Sequence, residues 1–249
     1  MRVAVAGGTG VVGRLVVAAA AGRGHDVVVL SRACGVDLTS VGDLVRRLAG
    51  VEAVVDVSGT RTQRRRAARD YVTAVTTTLL TAGAAAGVHH HVALSIVGLE
   101  GVDTGYYAAK LAQEQLVADG PVPWTILRST QFHELAEQAL DVLRLGPLSL
   151  VPRMRTQPVA AAEVAAALVG LVETGPSGRV PDLAGPDVHQ LVDLARRVGR
   201  GRHPRRTVVG VPLPGRAGRA MGAGALLPAT DGTRGQVTFD TWLDQRGRG

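Results

Sequence analysis

The sequence predicts an α/β fold: a doubly wound parallel sheet with a small C-terminal lobe. Three observations predict it. Short Val/Ile/Leu runs alternate with alanine-rich, helix-period segments over the first 145 residues. A glycine-rich turn follows the first run directly. Beyond residue 145 the alternation fades and Pro and Gly become frequent. Continuous apolar runs separated by helices describe parallel strands covered on both faces.

Taken in order, residues 2–6 (RVAVA) read as a strand that ends in Gly7-Gly8-Thr9-Gly10. An apolar helix follows over 11–21, stopped by Gly22 and Gly24. Residues 26–30 (DVVVL) form a second strand, and 35–38 a short third. A helix over 41–49 leads to a strand at 53–57 that ends at Ser58-Gly59. A long helix spans 67–86, then come a strand at 91–96, a helix at 105–118 and a strand at 123–128. The later segments predict helices over 160–173 and 187–199, with one strand within 178–185. Residues 200–236 carry no strong period. The expected division is a domain over 1–150, with a helix at 158–173 packing on it, and a loop-rich, substrate-binding lobe over 174–249.

The turn Gly7-Gly8-Thr9-Gly10-Val11-Val12-Gly13 lies between the first strand and the first helix, where a dinucleotide-binding βαβ unit needs it. Gly7 permits a tight turn. Gly10 lets the backbone approach a pyrophosphate, and Gly13 lets the helix pack close to the sheet. The helix N-terminus then offers N–H groups to the phosphates. The expected domain is thus of the Rossmann type. The second strand ends Leu30-Ser31-Arg32, with no acid to take a ribose 2′-hydroxyl. A hydroxyl and a guanidinium suit a 2′-phosphate, so NADP (NADPH) is expected rather than NAD.

Ser95 falls at the end of a strand, and Tyr106 and Lys110 lie four apart on the next helix, hence on one face. A tyrosine hydroxyl is a poor acid or base near neutral pH, and a neighbouring ammonium would lower its pKa. The same ammonium can bond cofactor ribose hydroxyls, and a serine hydroxyl can hold a substrate carbonyl. Lys110 is the only lysine among 28 strongly basic residues, and there are three tyrosines. A randomly placed lysine would seldom fall four residues after one of them. Arginine, forked and bulkier, does not replace a compact point charge. The plainer alternative is a surface lysine paired with Glu114 at i+4.

The stretches VAGGTGVVG (5–13), LSR (30–32), VDLTS (36–40), VVDVSG (54–59), HHVALSIVG (90–98), YYAAKLAQEQLV (106–117), PWTILRSTQFHE (123–134) and PVAAAEVAAAL (158–168) carry a resemblance. The chain resembles the atypical short-chain dehydrogenase/reductases, in their NmrA-like branch. The resemblance implies that Gly7, Thr9, Gly10, Val11, Val12 and Gly13 hold NADP, together with Ser31 and Arg32. It implies Asp37 and Leu38 near the adenine and Val57, Ser58 and Gly59 near the ribose. Ser129, Thr130, Gln131 and Phe132 would flank the nicotinamide. Ser95, Tyr106 and Lys110 match the family's catalytic set, whose fourth member is an asparagine on the long central helix. This chain has no asparagine, and Asp70 is the nearest candidate there. His133 and Phe132 are candidate substrate contacts, although His133 and Glu134 equally suit a helix start.

A net charge of +7 does not by itself point to nucleic acid, because the arginines are scattered in a chain rich in Ala, Gly and Val. Arg64-Arg65-Arg66 reads as a solvated loop or helix start. No apolar run reaches a membrane span. The sole cysteine, Cys34, is expected half-buried, in a cytoplasmic protein. His89-His90-His91 enter a strand, so their side chains alternate faces and no metal is expected there. Trp124 and Trp242 are expected in packed positions. The expected activity is hydride transfer between the nicotinamide and a small organic carbonyl or enone, with Tyr106 as proton donor or acceptor, in a monomer or homodimer. Two alternatives stand beside it: a non-catalytic NADP sensor, and an epimerase or dehydratase that retains its cofactor.

Overall fold

The computed structural model describes residues 1–60, 62, 64–102, 104–201, 206–229 and 232–246. The chain begins β1 (Arg2–Ala6), α1 (Val11–Gly22), β2 (Asp26–Leu30), α2 (Val41–Arg47), β3 (Ala53–Asp56), α3 (Arg65–Ala86), β4 (His90–Ile96), α4 (Gly105–Ala118) and β5 (Trp124–Ser129). It continues α5 (Leu135–Val142), β6 (Arg144–Leu145), β7 (Leu148–Pro152), β8 (Arg155–Thr156), α6 (Ala161–Thr174), β9 (Gly178–Arg179), β10 (Leu183–Ala184) and β11 (His189–Gln190). It closes α7 (Leu191–Gly201), β12 (Thr207–Val211), α8 (Gly215–Ala223), β13 (Thr233–Arg234) and α9 (Phe239–Arg246).

Two compact units result. The first comprises Met1–Ile96, Thr104–Arg128 and Ala161–Pro181. Its strands run in the order β2-β1-β3-β4-β5, with β9 beside β5. The pairings of β1 with β2 and β3, and of β3 with β4, are parallel, as the apolar runs with intervening helices predicted. Ala6 stands opposite both Leu30 and Asp56, so the strands' carboxyl ends are level. Asp56 pairs with Ala93, and β4 continues past that level to Ser95 and Ile96. This alignment brings the turns after β1, β2 and β3 to one edge of the sheet, where open α/β sheets place ligands. The core between sheet and helices holds Leu30, Leu44, Val54, Val75, Leu79 and Ile126, with Trp124 packed against it. Helix α6 belongs to this unit and packs on α1, where Arg23 and His25 both reach Glu173.

The second unit takes Val97–Asp103, Ser129–Ala160 and Asp182–Gly249, where the sequence suggested one boundary near residue 150. Strand β7 lies between antiparallel β6 and parallel β12, against α5 and α7. Leu183 of β10 pairs with Ser129 and, in parallel, with Thr233 of β13. Segment 200–236, which has no strong period, thus supplies β12, α8 and β13. Trp242 of α9 is buried against Phe239.

Three expectations need correction. Residues 35–38 form no strand. Arg32–Cys34 make a 3-10 turn, Gly35 takes a left-handed φ of 70°, and Asp37 caps the backbone of Thr39 at 2.9 Å. Val36 and Leu38 still bury their side chains, so the apolar alternation serves the core rather than a ladder. The strand expected within 178–185 is divided into β9 and β10, because Pro181 between them has no N–H to donate. Cys34 is exposed rather than half-buried. No helix among the described residues is long and apolar enough to cross a membrane.

His90 and His91 occupy successive, oppositely facing positions of β4. His90 Nε2 bonds Thr125 Oγ1 at 2.8 Å, and His91 Nε2 sits 4.0 Å from the Asp56 carboxylate. Burial, reinforced by His91, holds the His90 imidazole down at about 4 from its ordinary 6.5. Between those values the unfolded chain binds the extra proton, so stability falls as pH drops through that window. His90→Gln should therefore lose less urea resistance than the wild type between pH 7 and pH 4.5. Equal losses, read as unfolding midpoints, would contradict this.

Candidate active site

The turn after β1 is built on close backbone approach. Gly7 adopts φ 82°, and its N–H bonds Leu30 O at 2.9 Å. A Cβ on Gly7 would lie 2.9 Å from the Ser58 backbone, and one on Gly13 would lie 2.1 Å from Gly7 O. These glycines therefore let α1 and the β3 end close on the turn. No side chain caps the N-terminus of α1, and Thr9, Gly10 and Val11 are exposed while Val12 and Gly13 are buried. An uncapped helix start beside a backbone cradle is suited to a phosphate.

At the end of β2, Ser31 is buried and its Oγ has no hydrogen-bond partner among the described residues, whereas Arg32 is exposed. Asp37 is exposed, and the Thr39 backbone N–H, then its hydroxyl, hold the carboxyl below its ordinary range. Leu38, expected near an adenine, instead packs in the apolar core with Leu30 and Leu44. Val57 and Ser58 are half-buried and Gly59 exposed. The Tyr106 hydroxyl lies only 3.2 Å from where a Gly59 Cβ would be, which places it beside this loop.

Lys110 is not a surface lysine. It is 3 % exposed, and its ammonium donates to Leu94 O at 2.6 Å and to Gln113 Oε1. Gln113 Nε2 in turn donates to Asp56 Oδ2 at 2.8 Å, and the Ser58 N–H donates to Asp56 Oδ1 at 2.9 Å. Glu114, the alternative partner for Lys110, binds Arg128 through both oxygens at 2.7 and 2.6 Å. Burial lowers the Lys110 pKa, and Asp56 and then Glu114 oppose that shift. The ammonium was expected to lower the Tyr106 pKa. Instead burial, with Asp56 adding to it, pushes that phenol above its ordinary 10.0. Ser95 is buried, its Oγ without a partner among the described residues. Asp70 is not part of this cluster. Its side chain is 68 % exposed on α3 and sits 3.9 Å from Arg66 one turn earlier. The acid at the centre is Asp56, which sequence reasoning missed together with Gln113 and His91. Their signals were a single carboxylate ending the apolar run AVVD and a glutamine three residues after the only lysine.

In the second unit, Ser129 and Thr130 are buried, and the Thr130 hydroxyl donates to Gln157 O at 2.6 Å. Thr156 Oγ1 donates to Gln131 Oε1 at 2.8 Å, while Gln131 Nε2 is buried with no partner among the described residues. Phe132 is half-buried and bridges Val159. His133 departs from a substrate contact. It is 1 % exposed, its Nε2 meets Val237 O at 3.0 Å, and its ring packs on Phe239 and Trp242 at 5.5 Å each. It serves the core of this unit and, with Glu134, leads into α5.

A family model described as NAD(P)H-binding matches residues 7–174. Among curated proteins no match was found. The chain is similar in structure to the NADPH-dependent quinone oxidoreductase QOR2 of Escherichia coli complexed with NADPH, with TM-score 0.72 and 19 % identity, covering 98 % of this chain and 99 % of that one. It is also similar to the dTDP-glucose 4,6-dehydratase DesIV of Streptomyces venezuelae with NAD and TYD bound, with TM-score 0.75 and 18 % identity over 100 % and 96 % of the chains. A third likeness is to the UDP-glucose 4-epimerase of Thermus thermophilus in complex with NAD, with TM-score 0.68 and 18 % identity over 99 % and 93 %. At these identities the likeness is one of fold.

The crowding at Gly13 is testable against an internal control, since a Cβ on Gly22 would meet nothing within 4 Å. Gly13→Ala should destabilise the protein by about 1–3 kcal/mol and abolish detectable NAD(P)H binding. Gly22→Ala should leave both intact or raise stability by up to about 1 kcal/mol. Thermal melts and NAD(P)H fluorescence read the pair, and equal behaviour of the two variants would contradict the close-approach account.

Proposed function

The chain belongs to the NAD(P)H-binding family, and on that footing we propose that it is an NADP-dependent oxidoreductase acting on a small organic carbonyl or enone. The observation that carries the reading is the hydroxyl of half-buried Tyr106 beside Gly59, on the helix that also buries the only lysine. The glycine cradle, the uncapped start of α1 and the partnerless Ser31 hydroxyl fit a dinucleotide. Arg32, exposed after β2, offers a guanidinium suited to a 2′-phosphate, with the Asp37 carboxylate within its electrostatic reach.

Bound there, the reduced nicotinamide supplies a hydride to the electrophilic carbon. The residues supply the rest. Tyr106 gives its proton to the oxygen as negative charge develops there, so that hydride and proton together complete the reduction. Ser95 Oγ, a hydroxyl without another partner among the described residues, orients that oxygen. Lys110 contributes a fixed positive charge and a donor for a ribose hydroxyl. The raised Tyr106 pKa makes the protonated form the resting one at neutral pH, which suits a proton donor. It disfavours the alternating acid and base work that an epimerase would ask of one tyrosine. Asp70, exposed on α3, is given no part in proton transfer.

Tyr106→Phe should lower kcat by about 100-fold or more while NADPH still binds. NADPH should outperform NADH, and Arg32→Ala should narrow that gap. In the oxidative direction the wild-type rate should keep rising with pH without a plateau below the ordinary tyrosine value of 10.0. Steady-state assays on a panel of carbonyls and quinones test this. Full activity of the Tyr106→Phe variant, or tight NADP(H) binding with no turnover on any of them, would overturn it.

A further inference from the structure

We propose that Asp56 and Gln113 are positioning residues that hold the Lys110 ammonium against Leu94 O, leaving its one remaining N–H for a ligand hydroxyl. The ligand assignment, a cofactor ribose, rests on the oxidoreductase reading above.

The chemistry of the three groups fixes their order. An ammonium only donates and an ionised carboxylate only accepts. The Gln113 amide between them must turn its oxygen to Lys110 and its nitrogen to Asp56, as it does. Gln113 thus relays the attraction of a carboxylate that Lys110 does not touch. Each of the three is at most 3 % exposed, so water cannot substitute for any of these bonds. An isolated buried ammonium would lose its proton, and the relayed carboxylate opposes that loss. Of the three ammonium N–H groups, Leu94 O and Gln113 Oε1 take two.

The network also joins the elements around the site. Asp56 comes from the end of β3, Leu94 from β4, and Lys110 and Gln113 from α4. Through Oδ1 the same carboxylate holds the Ser58 N–H, and so the loop beside the Tyr106 hydroxyl. His91, from β4, faces Asp56 at 4.0 Å and is kept toward its neutral form by burial. Glu114, the other carboxylate acting on Lys110, is committed to Arg128. Among the described residues, Asp56 and Glu114 are the charges that act on the ammonium.

The single lysine makes a direct test possible. Lysine labelled with ¹³C at Cε gives one side-chain resonance, whose titration reports Lys110 with or without cofactor. In the wild type it should titrate below an ordinary lysine. Asp56→Asn and the volume-conserving Gln113→Met should each move it lower still. Gln113→Met should also weaken NADPH binding about tenfold, while kcat at saturating NADPH changes less than the affinity does. If Asp56→Asn does not fold, by circular dichroism, Gln113→Met decides alone. An unchanged lysine titration overturns the proposal, as does a shifted titration with unaltered NADPH affinity, which would make the network purely architectural. If the wild-type protein binds no NADPH, the oxidoreductase reading falls and the ligand assignment with it. The lysine resonance still decides whether Asp56 and Gln113 hold the ammonium.

Discussion

One constraint organises the site: a cation is kept inside an apolar interior. Lys110 is almost fully enclosed, and burial lowers its pKa. Keeping the charge requires an acceptor for each N–H that faces inward and a carboxylate within electrostatic reach. The fold meets that requirement with Leu94 O, Gln113 and Asp56, contributed by two neighbouring strands and the helix that covers them. Parallel strands with level carboxyl ends are what bring those three sources together.

The second constraint is steric and lies in the same unit. Backbone atoms of the β1 turn, the start of α1 and the β3 end approach so closely that side chains at Gly7 and Gly13 have no room. That closeness exposes an uncapped helix terminus and sets the Ser58–Gly59 loop near the Tyr106 hydroxyl. The Ser58 N–H held by Asp56 links the two constraints. The glycine cradle and the buried acid–ammonium network therefore share one loop.

Much of this was legible in the sequence, and the failures have physical causes. Alternating apolar runs gave the parallel sheet, and Gly7 to Gly13 marked the turn. Tyr106 and Lys110 stood out by spacing and by the rarity of lysine. The segment 35–38 misled because Val36 and Leu38 alternate like a strand but spend that alternation on the core, between a left-handed Gly35 and an Asp37 turn. The plainer alternative, a pair of Lys110 with Glu114 at i+4, does not form, because Arg128, on β5, claims that carboxylate and Gln113 at i+3 takes the ammonium. Asp70 was named by analogy to a helix position. The acid that matters ends a strand, and its importance depends on contacts 57 residues away. The choice left open for His133, substrate contact or helix start, could not be made locally, because Phe239 and Trp242, which enclose it, lie about a hundred residues downstream.

On the proposed reading, cofactor binding needs a compact ammonium at position 110, and not merely a positive charge. Lys110→Arg keeps the charge but replaces a point donor with a planar fork that the space between Leu94 O and Gln113 does not accommodate. Calorimetric titration of NADPH into the folded Lys110→Arg variant measures this directly. Binding at least about tenfold weaker than wild type is expected. Wild-type affinity in that variant would contradict it.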